Sequence, residues 1–382
     1  MLLAAFVGWN LAVYAWLLLS RWVGLPTAVP RALLGACYIW HLAVVPATMM
    51  VLAGNGLIRA ALGGMTRLMR LLAARRGPNS PPTVESDCAA DPPRRDAGPV
   101  LTRRQVLAAG VVVLPPVATA VGQVRALAQL DSFRTRRLEI ELATLPAALD
   151  GLTIVQVSDV HVGRFTNGPI LRDVVARTNA LRPDLVLFTG DLIEYSLADL
   201  PAGLEMLLQL APPERLLVCE GNHDLFAGRE EFERRVRAAG VRLLLNEAAE
   251  LEIRGERVQI LGLRWGQPGS RHGAAIDDHV QRVLPLRRAA AFTILLAHHP
   301  HAFDRAAEAG IPLTLSGHTH GGQLMLSKNV GAGPILFKYL SGLYRKDASA
   351  LVVSNGVGNW FPLRINAPAE ILHLTLRAAP FT

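Results

Sequence analysis

The chain runs to 382 residues, 51% of them hydrophobic, which leaves room for an apolar portion and one sizeable domain. Its net charge of +8 is carried at the front: the first 105 residues hold 11 arginines against 4 acidic residues, the remainder 28 basic against 27 acidic side chains. A basic groove for nucleic acid is therefore excluded, and three cysteines scattered at Cys37, Cys88 and Cys219 exclude a disulfide framework.

Met1 to Ser20 carry no charge, and Ala32 to Ile58 are uncharged again, interrupted only by His41 and Pro46. Each run is near the ~20 apolar residues that cross a bilayer as a helix, so residues 1–60 are expected to form two transmembrane helices. His41 reads as an interfacial or packing residue. Residues 61–104 are rich in arginine and proline and read as a linker, flexible over 77–100. Under the positive-inside rule this linker is cytoplasmic and everything after the next apolar run is outside. That run, 105–124, has two readings that stay open. It is a third transmembrane segment, or, with Thr102-Arg103-Arg104-Gln105-Val106-Leu107 ahead of it and Ala118-Thr119-Ala120 near its end, a twin-arginine-like export signal. The expected location is the cell membrane, multi-pass, with the following domain extracytoplasmic.

From Leu138 the texture changes to strands alternating with helices, bounding a domain at 138–378. "LTIVQVSD", "DLVLFTGD" and "RLLVCEGNHD" read as buried strands, with helical spacing in "PILRDVVARTNALRP", "LADLPAGLEMLLQL" and "REEFERRVRAAG". "ELEIRGERVQILGL" predicts a hairpin turning at Arg254-Gly255. "FTILLAHHP", "LTLSGHTH" and "ALVVSNG" complete the strands. The pattern predicts a layered α/β fold with a largely buried sheet, whose ligand sites lie beyond the strand carboxyl ends.

Those ends carry one chemical theme. They read Asp159-Val160-His161, Gly190-Asp191, Gly221-Asn222-His223-Asp224, His298-His299-Pro300 and Gly317-His318-Thr319-His320. Each alone has a dull explanation as a cap, a turn or a loop. Together, at five successive strand ends, they are a set of oxygen and imidazole donors.

The set resembles the calcineurin-like metallophosphoesterase superfamily, whose ordered blocks are D-x-H, G-D, G-N-H-D/E, a lone His and G-H-x-H. The match spans residues 153–323 in order, and "GHTHGGQ", "GVGNWFPLRINAPAEI" and the twin-arginine-like start are most similar to its bacterial membrane-associated or exported branch. The resemblance implies an αββα sandwich and two divalent cations. Asp159, His161 and His320 would hold one, Asn222, His298 and His318 the other, and Asp191 would bridge them. Two such cations ~3.5–4 Å apart activate water and clamp the phosphoryl oxygens of an ester that otherwise resists attack. Mixed oxygen and imidazole donors suit manganese, iron or zinc without choosing among them. His223 would touch the phosphate and protonate the leaving oxygen. Asp224 either orients His223 or serves the loop.

What is implied is a hydrolase of phosphodiesters, phosphomonoesters or pyrophosphates, by in-line attack of a metal-bridging water. A lipid-linked phosphate at the outer membrane face is the leading substrate. An exported nucleotide or cyclic-nucleotide phosphodiesterase is the alternative, and a non-catalytic metal-binding module the third reading. Residues 333–347, with Lys338, Arg345 and Lys346 beside two tyrosines, are either a lip over the site or a connection covering the sheet. His272, His279 and His373 lack metal-site spacing and read as surface or packing residues; His301 begins a helix facing the pocket.

Overall fold

The computed structural model describes residues 37–75 and 132–379, apart from 267–271, 324, 328–329, 332, 334–336 and 361–363, together with scattered residues before 37 and between 102 and 128. The chain divides into two compact units, Met1–Gln123 and Val124–Thr382.

In the first unit a π-turn, Trp40–Val44, leads into a helix at Val45–Arg75. The segment 61–75 is therefore helical where a linker was expected. Ala, Leu, Met and Arg are strong helix formers and the stretch holds no proline after Pro46, so two adjacent glycines do not end it. Among the described residues no helix is long and apolar enough to cross a membrane. The expected span at 32–58 is not borne out, since the helix continues through Arg59, Arg67, Arg70 and Arg75. The other two expected segments, at the extreme N-terminus and at 105–124, fall largely outside the described residues, as do the rest of the linker and Cys88. His41 does have partners: its Nδ1 lies 2.9 Å from the Cys37 carbonyl, and its ring stacks on Tyr14 at 4.5 Å. Cys219 is a buried free thiol, and Cys37 Sγ lies 3.6 Å from His41 Nδ1.

The second unit is built on two mixed sheets. One joins β1 (Arg134–Leu142), β2 (Thr153–Val157), β3 (Leu185–Thr189), β4 (Leu216–Cys219) and β13 (Glu370–Ala378), in the order β1-β13-β2-β3-β4. The other orders β11 (Gly342–Lys346), β12 (Ser349–Val353), β8 (Leu313–Ser316), β7 (Phe292–Leu296), β6 (Glu256–Gly262) and β5 (Glu247–Ile253) from edge to edge. The short strands β9 (Met325–Ser327) and β10 (Val330–Gly331) pair apart from both. Leu185, Leu187 and Leu217 of the first sheet meet Ile260, Ile294, Leu296 and Leu315 of the second in a shared core.

The alternate residues of the same strands face helices. Val186, Phe188 and Val218 pack against Ile170, Val174, Met206, Phe232 and Val236 from helices Gly168–Ala180, Leu200–Leu208 and Arg229–Ala238. Leu261 and Leu295 pack against Ile276, Val280 and Ala306 from helices His272–Val283 and Ala302–Glu308. This gives the expected αββα layering. Strands buried on both faces have to be apolar throughout, which is why β3 reads as a run and not as an alternation. The β5–β6 hairpin turns at Arg254 and Gly255, both at positive φ (55° and 79°), as a two-residue hairpin loop requires.

The domain starts earlier than the sequence texture indicated. β1 opens at Arg134 and runs parallel to β13, where Arg134 and Arg136 both reach the fully buried Glu370, at 2.7 and 3.5 Å. Its first residues, "RTRR", are exposed or half-buried on an edge strand and carry no apolar signature.

Candidate metal centre

β2, β3 and β4 are parallel neighbours, and so are β7 and β8, so each group delivers its carboxyl ends to one rim. Buried polar bonds tie the two rims together. Gln156 donates to the Thr189 hydroxyl (3.1 Å) and across the core to the Ser316 carbonyl (2.9 Å). His298 Nδ1 donates to the Thr189 carbonyl at 2.6 Å, and the His318 amide donates to Asp159 Oδ1 at 3.0 Å.

The seven expected ligands converge there. Donor atoms of Asp159, His161 and His320 lie within 4.8 Å of one another, and so do those of Asp191, His298 and His318. His161 Nε2 and His320 Nε2 face each other at 3.0 Å, with Asp159 Oδ1 3.3 Å from the latter. Asn222 Oδ1 is 2.9 Å from His318 Nδ1. Asp191 Oδ2 sits between the groups, 3.5 Å from His161 Nε2 and 3.1 Å from His298 Nε2. The two histidines of Gly317-His318-Thr319-His320 thus belong to different groups.

The backbone is shaped for this. Asp159, His161, Asp191, His318 and His320 all take positive φ, between 48° and 73°, a region side chains other than glycine seldom occupy. Such local strain persists only where the surroundings over-determine it, and it gathers at functional sites. Close approach adds to it. A Cβ on Gly221 would fall onto the Asp191 amide and carboxylate, and one on Gly317 onto Ser158 and Asp159.

Burial and electrostatics fit cation binding. Burial lifts the Asp159 carboxyl to about 6, with His298 opposing and Asp191 adding. Burial works against a charged His298, but Asp191 beside it outweighs burial and lifts the imidazole to about 9. Asp191 is correspondingly lowered by His298, against the effect of burial. His161 and His320 are held well below the ordinary range, by burial first and then by their cationic neighbours, which keeps their ring nitrogens available as donors. His161 and His320 turn Nε2 inward beside the Asp159 and Asp191 carboxylates, and a divalent cation seated there would take the place of the proton that Asp191 holds on His298 Nε2. The residues fit the group the resemblance implies.

His223 is half-buried beside the centre, its ring edge-on to His161 at 4.5 Å. Its Nδ1 lies 3.0 Å from the Glu194 carbonyl, which only accepts, so Nδ1 carries a proton there. Asp224 does not orient it. That carboxylate accepts from the amides of Asp191 (3.0 Å), Leu192 (2.7 Å), Ile193 (3.1 Å) and Gly221 (2.9 Å), and so shapes the loop under the centre. Burial and then Asp191 push it up to about 8, while the amide donors favour its ionised form.

Aromatic rings frame the mouth. Tyr195, Phe226 and Trp360 surround His223, while Trp265 and Phe337 stand beside His318. The segment 333–347 resolves accordingly: Phe337 meets the His318 ring edge-on at 5.7 Å, Lys338 and Tyr339 anchor on Asp304, and Gly342–Lys346 is strand β11. His299 accepts from the His301 amide, His279 contacts Asn246, and His373 contacts Arg137. Sequence reading missed Arg364, fully buried with one Nη2 3.1 Å from His320 Nδ1. Its signal was a lone arginine within "GVGNWFPLRINAPAEI", a block otherwise poor in charge.

Comparison with known proteins places this arrangement. The sequence pattern of the calcineurin-like phosphoesterases matches residues 152–322. A metallophosphoesterase of Bacillus subtilis (strain 168), YkuE, is 30% identical over 259 residues, covering 64% of this chain and 86% of that protein. A Danio rerio protein named transmembrane protein with metallophosphoesterase domain is 32% identical over 251 residues, 63% of this chain but only 57% of that protein. Among solved structures, a dimetal phosphatase from Danio rerio is similar at a TM-score of 0.35 and 12% identity, over 54% of this chain and 88% of that one, too distant to bear on chemistry. With most of the Bacillus protein aligned and every ordered block in place at the strand ends, the chain belongs to the calcineurin-like phosphoesterase family.

Proposed function

We propose that the second unit hydrolyses phosphate esters at a centre of two divalent cations. The observation that carries this reading is the position of Asp191 Oδ2, 3.5 Å from a nitrogen of one donor group and 3.1 Å from a nitrogen of the other. A carboxylate so placed can serve both cations at once. Asp159, His161 and His320 would hold one, and Asn222, His298 and His318 the other. Bound there, the cations would supply Lewis-acid polarisation of the phosphoryl group and an acidified water.

The chain's own residues do the rest. Asp224 fixes the backbone of Asp191 through its amide, and that backbone sets the bridging carboxylate. The His223 amide donates to Asp191 Oδ1 at 2.8 Å, leaving Oδ2 to the imidazoles. With Nδ1 donating to the Glu194 carbonyl, His223 in its doubly protonated, imidazolium form gives the Nε2 proton to the departing oxygen and is left neutral. The ester that enters is an anion meeting a site whose cations outweigh its two ligand aspartates.

For the substrate we favour a lipid-linked phosphate or pyrophosphate. Support comes from the uncharged run Met1 to Ser20, from the name of the Danio rerio relative, and from Phe226, 55% exposed beside His223 as an apolar seat. Nucleotides and other soluble diesters are the competing class. The test uses the full chain in detergent with bis-(p-nitrophenyl) phosphate, with manganese, after chelation, and as His223→Ala. Hydrolysis should need the metal and fall on the order of 10²–10⁴-fold in the variant, with metal content unchanged. Hydrolysis indifferent to chelation would overturn the reading. A phosphatidyl substrate against a cyclic nucleotide then decides the class.

A further inference from the structure

The metal centre takes up only part of the rim of the second unit. β11 is antiparallel to β12, which is parallel to β8, while β13 is antiparallel to β2 and parallel to β1. The first residues of β1, β11 and β13 therefore reach the rim where β2 and β8 end. β1 and β11 are edge strands of their sheets, and their first residues line one cavity of about 1040 Å³. That is at the upper limit of the ~300–1,000 Å³ typical of small-molecule sites. Phe337, edge-on to His318, is also a wall of this cavity, and so is Gly321, next to His320, so the cavity adjoins the metal centre.

The described residues of its lining include three cations and no acid, and the cations are not equivalent. Lys338 is held by Asp304 at 2.8 Å. Arg134 gives Nε and Nη2 to Glu370 Oε2, at 3.0 and 2.7 Å, which answers that carboxylate. Arg136 is left with one long contact, Nη1 to Glu370 Oε1 at 3.5 Å, although its side chain is only 29% exposed. A guanidinium has five N–H donors, and here a single weak acceptor serves them. A Cβ on Gly342 would stand 3.0 Å from Arg136 Nη2, so glycine at the start of β11 leaves the fork room. Tyr344 supplies a second donor. Its hydroxyl accepts from the amides of Leu340 (2.8 Å) and Ser341 (3.2 Å), and its own hydrogen is committed to neither. Spare donors of this kind on a planar fork suit a phosphate-type anion. Much of the remaining wall is apolar, from Phe337, Leu340 and Leu343.

We propose that this cavity binds an amphiphilic organic phosphate, with its anionic head on Arg136 and Tyr344 and its apolar body against Phe337, Leu340 and Leu343. None of the seven metal-site residues lines it, so it fills with or without cations. A soluble organic phosphate and the phosphate head of a lipid offer the same chemistry, and the test separates them.

Binding is measured by isothermal titration calorimetry on the full chain in a non-ionic detergent, with metal removed so that neither cations nor hydrolysis intervene. The probes are phenylphosphonate, inorganic phosphate, and dihexanoyl phosphatidate below its micelle-forming concentration. An organic probe should bind one to one, and inorganic phosphate about ten-fold more weakly or worse for want of an apolar body. Tighter binding of the phosphatidate identifies a lipid ligand, and tighter binding of phenylphosphonate a soluble one. Arg136→Gln should weaken the tighter probe on the order of 10–100-fold. Glu370 keeps Arg134 in that variant, so its melting temperature should stay near wild type. Ser327→Asp sets a carboxylate at the exposed rim of the cavity and should weaken the same probe without touching the core. Three results would overturn the proposal: no organic probe bound by wild type, inorganic phosphate bound as tightly as the organic probes, or unchanged affinity in Arg136→Gln. Should that variant not fold, unchanged affinity in Ser327→Asp decides the same point.

Discussion

Asp224 follows His223 in the chain but works on the opposite side of it. The 3₁₀ turn His223–Leu225 points one side chain at the mouth and the other into the loop, where each Asp224 oxygen takes two amide hydrogens. Asp224→Asn would set an NH₂ against two of those donors. We expect a loss of about 2–4 kcal/mol in urea unfolding of the metal-free protein, and a change below 1 kcal/mol would remove the loop-shaping role. The adjacency that made Asp224 look like a partner for His223 holds no information on side-chain direction, whereas the donor types at Asp159, His161, Asp191 and His298 could be read directly. A second prediction concerns His298, raised to about 9 against an ordinary 6.5. Between those values the folded, metal-free protein holds a proton that the unfolded chain has released. The stabilisation is complete below 6.5 and is lost as pH rises through 9, on the order of 3 kcal/mol in all. Asp159, raised to about 6, works in the same direction over a lower window. Melting temperature of the chelated protein should therefore fall from pH 6.5 to 9, and manganese should flatten the profile by taking the proton's place. A chelated protein that gains stability over that interval would show that Asp191 does not hold His298 charged.

The strand ends meet closely enough that β4 can follow β3 into the site only through a residue without a side chain. Gly221→Ala puts its methyl on the Asp191 amide and carboxylate, backbone and ligand that cannot both give way. The variant should lose most of its manganese-dependent gain in melting temperature while its far-ultraviolet circular dichroism stays near wild type; retention of the full gain would mean that the rim is softer than its geometry. Elements of this kind were legible because doubly buried strands are apolar runs ended by polar residues. β1 was legible only in its second half, since Arg134–Arg137 lie at an edge where burial imposes no pattern until Leu138. The helix over 61–75 is hidden for a different reason: it heads an arginine- and proline-rich stretch, 61–104, whose prolines all lie after residue 77 and so do not stop it.

At the scale of the molecule, an ion pair ties the first residues of β1 to a buried carboxylate, and composition carries no sign of it. A fragment beginning at residue 138 removes Arg134 and Arg136 and strands Glu370, fully buried, without a cation. It should be less stable than a fragment beginning at residue 130 by about 3 kcal/mol, measured by denaturant unfolding of the two side by side; equal midpoints would place the domain edge where the sequence texture did. The ordering of the ligands has a further meaning at this scale. Both donor groups draw on both sheets, and His161 and His320, 3.0 Å apart, are separated by 159 positions in the chain. An ion seated between them acts as a removable staple across the sandwich, closing a loop as long as the domain's core and limiting how far the two sheets can part, as a disulfide would. Such a staple is felt most by a molecule already assembled. Chelation should therefore hasten unfolding far more than it slows refolding, so that the lifetime of the fold, and not its rate of formation, follows the supply of metal around it.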